Sequence, residues 1–296
     1  MLPVSDGHKK EYSPDLQTQL WPAKIAEQFK ETFLKMLQIA PVKAFNDNYL
    51  WVFHQPGERA ACVVDPGDAQ PVLDYLAANN LTLGAILVTH HHADHIGGIN
   101  NLLTKYKVAV YGPASARIPQ ITHALKEADQ ITVLGVDFKV LEVPGHTLEH
   151  IAYYAPASAN QDAPVLFCGD TLFAAGCGRM FEGTPPMMYG SLQKLASLPA
   201  KTRVFCTHEY TLSNLNFAKA VMPDNANLQK RIYDEKIKRE QDLPTLPSTI
   251  ELELQTNPFL RCSDPLVVTN AVSHAKVAQQ DPATVFGILR RWKDNF

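Results

Sequence analysis

Two mixed β-sheets packed on one another with helices outside, followed by a helical C-terminal region, is the α/β (α+β) fold class this chain predicts. Three observations carry it. Short apolar runs alternate with helical segments in one part of the chain but follow one another directly over residues 131–154, unlike a single doubly wound sheet. Several of these runs end in histidine or aspartate, as where strands deliver side chains to one edge. Beyond His208 the periodicity turns helical to the end.

Residues 1–35 open polar, with Pro3, Pro14 and Pro22. Ile25, Phe29 and Phe33 then recur at helical spacing beside Ala26 and Leu34, an amphipathic helix with a packing or partner face and no chemistry. From Leu37 the texture changes. Leu50–Phe53 and Ala60–Asp65, joined through Pro56-Gly57, read as a hairpin. Pro71–Ala78 reads as a helix with proline near its first turn. Ala85–Val88 is the next strand, Ile99–Leu103 with Tyr106 a helix, and Val108–Tyr111 a strand. Ile131–Leu134, Phe138–Val143 and Ile151–Tyr154 form an antiparallel-looking succession. Leu212–Val221, Leu228–Lys238 and Thr284–Trp292 are the helices that follow, interrupted by Pro244 and Pro247. A domain boundary is expected near His208, with no internal repeat and no low-complexity tract.

Composition narrows the class. With 296 residues and 46% hydrophobic content, the chain suits one large or two modest domains with a real core. A formal charge of −3 gives no electrostatic case for nucleic acid or an anionic membrane. No run reaches the ~18 apolar residues of a membrane span. No apolar segment follows Lys9 and Lys10 as in a secretory signal, and the first 35 residues carry Asp6, Glu11, Asp15, Glu27 and Glu31 and no arginine, unlike a transit peptide. Five cysteines without a CxxC pair read as reduced thiols of a cytoplasmic protein.

The chemistry concentrates in Thr89-His90-His91-His92-Ala93-Asp94-His95-Ile96-Gly97-Gly98, an expected exposed strand-to-helix turn in which the two glycines let the backbone bend. His90 and His92 are two apart, so in near-extended backbone their rings share a side. Asp94 and His95 come from the first turn of the following helix. A histidine run at a terminus is an expression tag, and one in a solvated loop has no role. This run is internal, follows a hydrophobic strand and stops at Gly-Gly, so it reads as a metal site. His146, Asp170 and His208 each close a further strand end. A lone histidine there is more often structural, but agreement among four strand ends is stronger evidence. Seven donors (His90, His92, Asp94, His95, His146, Asp170 and His208) exceed one tetrahedral ion with an open position and suit two divalent ions bridged by Asp170 or Asp94. Zinc is the first expectation, and iron and manganese accept the same donors. His91 is expected to point away. His150 is either structural or hydrogen-bonded behind the ligands.

The HHHADH run, Pro144-Gly145-His146-Thr147, Cys168-Gly169-Asp170-Thr171 and the strand-end His208 resemble the metallo-β-lactamase superfamily. More narrowly, Phe45-Asn46-Asp47-Asn48-Tyr49, Gly176–Thr184, Thr207-His208-Glu209-Tyr210, Asn257-Pro258-Phe259 and Arg290-Arg291-Trp292-Lys293 resemble glyoxalase II, the hydroxyacylglutathione hydrolases. The resemblance covers 36–296 and leaves 1–35 without a counterpart. It implies a four-layer αββα sandwich over 36–208, a helical substrate-binding domain over 209–296, and an N-terminal extension, 1–35, that is dispensable for catalysis.

The resemblance further implies one ion on His90, His92 and His146, another on Asp94, His95 and His208, and Asp170 as the bridge. Arg179, Phe181, Tyr210, Arg290 and Lys293 fall on the glutathione-binding positions. Arg179 keeps the charge of the family's lysine, while Phe181 lacks the hydroxyl of its tyrosine. The implied reaction is hydrolysis of S-D-lactoylglutathione to D-lactate and glutathione, in methylglyoxal detoxification, with a metal-bridging hydroxide as nucleophile. Asp94 and Asp170 are the expected catalytic carboxylates, and Asp94, with its carboxylate tied up on a metal, is a poor general base. The glutathione thioester is the expected partner, with no nucleic acid, no membrane and a monomeric chain. The rivals are another hydrolase of this fold, such as a lactonase, an iron persulfide dioxygenase with a single metal, and a non-catalytic metal-binding module. An RNA phosphodiesterase is disfavoured by the charge.

Overall fold

Alternation of side chains along the strands builds the layers. The computed structural model describes residues 36–158, 161–278 and 280–296; the amphipathic helix expected within 1–35 lies outside these. The first sheet runs in the order β1 (Gln38–Ala44), β2 (Asn48–His54), β3 (Ala60–Val64), β4 (Thr82–Leu87), β5 (Ala109–Pro113), β6 (His123–Leu125). The β1–β2–β3 pairs are antiparallel, and the pairs from β3 to β6 are parallel. Pro41 is tolerated in β1 because that strand forms an edge. Leu50 and Val52 of β2 join Val63, Ile86, Val72 and Leu76 of helix α1 (Ala69–Ala78) in one apolar cluster. Ile99 and Leu102 of α3 (Ile99–Lys105) complete it. Trp51 and Phe53, one residue out of phase, face the other way.

They meet the second sheet, β14 (Ser248–Thr249), β13 (Arg203–Cys206), β10 (Val165–Gly169), β9 (Ile151–Ala155), β8 (Val136–Glu142), β7 (Gln130–Val133). Phe53 lies 5.7 Å from Phe138 and 5.8 Å from Phe167 between ring centroids, and Trp51 packs edge-on against Phe205 at 4.9 Å. A short hairpin, β11 (Leu172–Phe173) with β12 (Gly176–Cys177), follows β10. Helix α4 (Pro185–Ala196) buries Met188, Leu192 and Leu195. The fold is thus the αββα type of the metallo-β-lactamase superfamily.

The remaining helices are α5 (Thr211–Val221), α6 (Ala226–Glu240), α7 (Ile250–Thr256), α8 (Pro265–Ala275) and α9 (Pro282–Asp294). Between them Phe217 stacks on Phe259 at 5.8 Å and Phe259 meets Phe286 edge-on at 5.7 Å. The expectation of helix alone beyond His208 is corrected by β14, which pairs antiparallel with β13. Those two residues supply edge hydrogen bonds that a two-residue segment cannot advertise in periodicity. Leu37–Phe296 forms one compact unit.

Candidate metal centre

Strand β4 ends at Leu87, and Thr89 starts the ligand turn by docking on Asp65. Its backbone N–H donates to Asp65 Oδ1 and its hydroxyl to Asp65 Oδ2, both at 2.7 Å. Two expectations about this turn are corrected. It is exposed only in part, since His90 and His95 are fully buried while Ala93 and Gly97 remain exposed. Nor do its glycines bend the chain: Gly97 and Gly98 have φ of −59° and −83°, inside the helical range. They are needed for close approach instead. A Cβ on Gly98 would lie 2.5 Å from the Ala69 nitrogen, and one on Gly97 would lie 2.7 Å from the Gly67 oxygen. Asp94 and His95 also sit on a separate one-turn helix, α2 (Ala93–Ile96), rather than on α3.

All seven predicted donors come together. His90 Nε2 lies 3.1 Å from His92 Nδ1, which lies 3.0 Å from His146 Nε2. Asp94 Oδ2 is 3.5 Å from His95 Nε2 and 3.4 Å from His208 Nε2. Asp170 stands between the two groups. Its Oδ2 is 3.5 Å from His146 Nε2 and 3.3 Å from His208 Nε2, while Oδ1 is 3.4 Å from His95 Nε2. His90-His92-His146, His90-His95-Asp170 and Asp94-His95-His208 each place their donor atoms within 4.8 Å of one another.

Polar groups behind the donors fix which nitrogen turns inward. The Thr89 hydroxyl spends its proton on Asp65, so the 3.1 Å contact to His90 Nδ1 is donated by the ring, leaving Nε2 as a lone pair. His95 Nδ1 is held at 3.0 Å by Asp65 Oδ2, His146 Nδ1 at 2.8 Å by the Arg179 carbonyl, and His208 Nδ1 at 2.8 Å by Asp47 Oδ1. Asn48 donates to Asp94 Oδ2 at 3.0 Å. Asp47, Asn48 and Asp65 therefore belong to the centre. Sequence reasoning quoted the first two within a motif but gave none of the three a role. Asp65 directly follows β3 ahead of Pro66-Gly67, and that strand-end position was its available signal. His150 is also behind the ligands: it stacks under His90 at 4.6 Å and its Nε2 accepts the Asp170 N–H at 3.1 Å. His91 turns away, its ring nitrogens engaged by Glu149 and Arg117.

The electrostatics fit cations. Burial, followed by its histidine neighbours, pushes His90 far below the usual imidazole range. His208 moves the other way, to about 10: burial opposes its charge, but the Asp170 and Asp94 carboxylates outweigh that. Asp170 stays ionised despite burial because His95 and His208 face it. The Asp94 and Asp170 carboxylates thus concentrate negative charge against these histidines, an arrangement that suits cations. Asp170 Oδ1 and His95 Nε2 are nevertheless buried without a hydrogen-bond partner. Buried orphan donors and acceptors converging on one point suit metal ligation.

Around the mouth, Tyr210 stacks on His208 at 4.6 Å and 4°. Phe181 is 63% exposed and stands edge-on to His92 and His146, at 5.4 and 5.3 Å. Arg179 is exposed, 3.7 Å from Asp294. Lys293 is half-buried with its ammonium on Asn214 Oδ1. Arg290 is buried, donating to the Cys177 carbonyl at 2.9 Å and to Asp294 Oδ1 at 2.9 Å.

The chain matches two family models: the metallo-beta-lactamase superfamily over residues 47–208 and the hydroxyacylglutathione hydrolase C-terminus over 209–296. Hydroxyacylglutathione hydrolase of Pseudomonas aeruginosa is 54% identical over 262 residues, covering 88% of this chain and all of the relative. That of Nitrosomonas eutropha is 48% identical over the same shares. Among solved structures, TTHA1623 in a di-iron-bound form is 26% identical with a TM-score of 0.52, over 75% of this chain and all of that one. ETHE1 from Myxococcus xanthus has a TM-score of 0.58 at 21% identity over 87% of this chain and 98% of its own, a likeness of fold alone. Half of all positions shared along the full length of its relatives is far more than a common fold requires, and the chain belongs to the hydroxyacylglutathione hydrolase (glyoxalase II) family of the metallo-β-lactamase superfamily.

Proposed function

We propose that the chain is a metal-dependent thioester hydrolase that converts S-D-lactoylglutathione and water to D-lactate and glutathione, and so serves methylglyoxal detoxification. The observation that carries the mechanism is Asp170, one carboxylate within 3.5 Å of donors from both ligand groups. His90, His92 and His146 would hold one ion, Asp94, His95 and His208 the other, with Asp170 shared. Zinc is the proposed metal. Bound there, the ions supply activation of water near neutral pH and polarisation of the thioester carbonyl. The protein's own residues set the geometry. Asp65, Asp47 and the Arg179 carbonyl keep the ligating nitrogens turned inward, and Phe181 and Tyr210 flank the mouth. Thiolate leaves readily, so no protein acid is required.

The glutathione moiety is assigned to Arg179, Tyr210 and Lys293, the two cations suiting its carboxylates, with Phe181 lining the substrate mouth and Arg290, buried on the Cys177 carbonyl, supporting the substrate site from behind. Residues 36–208 are the catalytic part and 209–296 the substrate-binding part, with 1–35 an extension. A monomer in the cytoplasm is proposed, in keeping with five unpaired, buried cysteines. Among the described residues no helix is long and apolar enough to cross a membrane. The test is release of D-lactate and free thiol from S-D-lactoylglutathione, lost on chelation and regained on adding zinc. A metal-replete, folded protein without this turnover would refute the reading and favour a non-catalytic metal-binding module.

A further inference from the structure

Beside the metal centre lies a charged network that the proposed chemistry does not use. His91 Nδ1 bonds Glu149, and its Nε2 lies 2.9 Å from Arg117 Nη1. A guanidinium can only donate, so Nε2 accepts and the ring proton sits on Nδ1, facing Glu149. The same Arg117 nitrogen bonds Glu182 Oε1, and Glu182 Oε2 accepts the Leu148 backbone N–H at 2.9 Å. Arg117 holds the Glu182 carboxyl below the usual carboxylate range. Four separate segments are thereby tied together: the ligand turn, the loop after β5, the loop carrying His146, and the loop of residues 178–184.

What they hold is Phe181, the residue before Glu182. Its N–H donates to the His146 carbonyl at 3.2 Å, and the Gly183 N–H to the Gly145 carbonyl at 3.1 Å. The ring stands over His92 and His146 while more than half exposed, and Leu148, 55% exposed, is held through its own N–H by Glu182. Two apolar side chains that folding leaves in water are thus fixed by charge-assisted bonds beside one ligand group.

We infer that Arg117 and Glu182, with His91 and Glu149, form a clamp that fixes Phe181 as a wall beside the His90-His92-His146 group, and that this wall selects short aliphatic over bulky acyl groups. Arg117 and Glu182 are positioning residues that touch neither substrate nor metal. The inference rests on the thioester reading for its acyl part, whereas the clamp itself is independent of it.

The experiment pairs backbone hydrogen exchange with acyl selectivity, on the full-length protein. Arg117→Ala should accelerate exchange at residues 178–184 and at Leu148 by about tenfold, with global exchange and metal content unchanged. It should also shift the kcat/KM ratio of S-D-lactoylglutathione to S-mandeloylglutathione about fivefold towards the bulkier substrate. Glu182→Gln should do the same, and Arg117→Lys should recover most of the wild-type ratio. In a Phe181→Ala background, Arg117→Ala should leave the ratio where Phe181→Ala put it. Unchanged exchange in Arg117→Ala would overturn the clamp. A selectivity shift of equal size in the Phe181→Ala background would overturn the role of the ring. If the wild type hydrolysed neither thioester, the acyl assignment would fall with the thioester reading, and exchange alone would decide the clamp.

Discussion

Asp65 holds two histidines of the proposed ligand set at once, directly at His95 and through Thr89 at His90. Its backbone adopts φ of 51°, a left-handed conformation that costs a non-glycine residue energy and persists here where function needs the carboxylate. Asp65→Asn replaces one acceptor oxygen by a donor facing other donors. It should weaken metal retention by about 10–100-fold, read by competition with a chromogenic chelator. Asp170→Asn leaves one neutral oxygen where two anionic ones served and should abolish most turnover, while Cys168→Ser beside it keeps near-normal activity. Near-normal turnover and metal content in Asp170→Asn would remove the bridge. At the mouth, Arg290 and Lys293 separate. The buried Arg290 supports the Cys177 carbonyl, so Arg290→Ala should cost about 2 kcal/mol of stability and damage all thioesters alike. Lys293→Ala should raise KM for glutathione thioesters and leave kcat nearly unchanged, as for a contact equally strong in ground and transition states. Burial, then the Arg290 charge, lowers the Lys293 ammonium to about 8. It is therefore charged below that pH and neutral above it, so KM should rise as pH passes about 8 and Lys293→Arg should flatten the rise. Protonation opposes folding here, so this group's contribution to stability grows as pH climbs from about 8 towards the ordinary lysine value.

The C-terminal elements are tied to the β11–β12 hairpin by one buried pair. Arg231 donates to Glu253 Oε1 at 2.7 Å, and the other carboxylate oxygen accepts the Ala175 N–H at 2.8 Å and Asn257 Nδ2 at 2.9 Å. Asn257 also reaches the Gly176 carbonyl at 2.9 Å, which gives Asn257-Pro258-Phe259 its physical meaning. Breaking this pair with Arg231→Met strands a buried carboxylate and should cost about 3–5 kcal/mol, measured by urea unfolding. These links explain what was legible in the sequence. Strands with strong apolar runs, such as Leu50–Phe53 and Phe138–Val143, were found within a few residues. β6, β14 and α7 were missed because two- to seven-residue elements carry too little periodicity and are held by neighbours distant in sequence, and β1 and the longer helices α4 and α8 were not read either. The donors that converge were legible because metal chemistry permits few residue types at strand ends. The burial of His90 and His95 was not, since it depends on Asp65 and on Gly97 and Gly98 packed against the Gly67–Ala69 backbone.

At the scale of the molecule, two sheets meet through aromatic side chains and present their strand ends, and the loops beyond them, as one constellation. Leu37–Phe296 forms a compact unit of its own, so a chain shortened to begin at Met36 should keep its melting temperature and specific activity. Loss of either would make residues 1–35 part of the working fold. The central claim is a dinuclear centre organised by one shared carboxylate. Its most direct measurement titrates zinc into chelator-stripped protein while following bound metal by elemental analysis and thioester hydrolysis in the same samples. Two ions per chain at full activity is the predicted result. Activity that saturates with a single bound ion, with no further gain from a second, would contradict it.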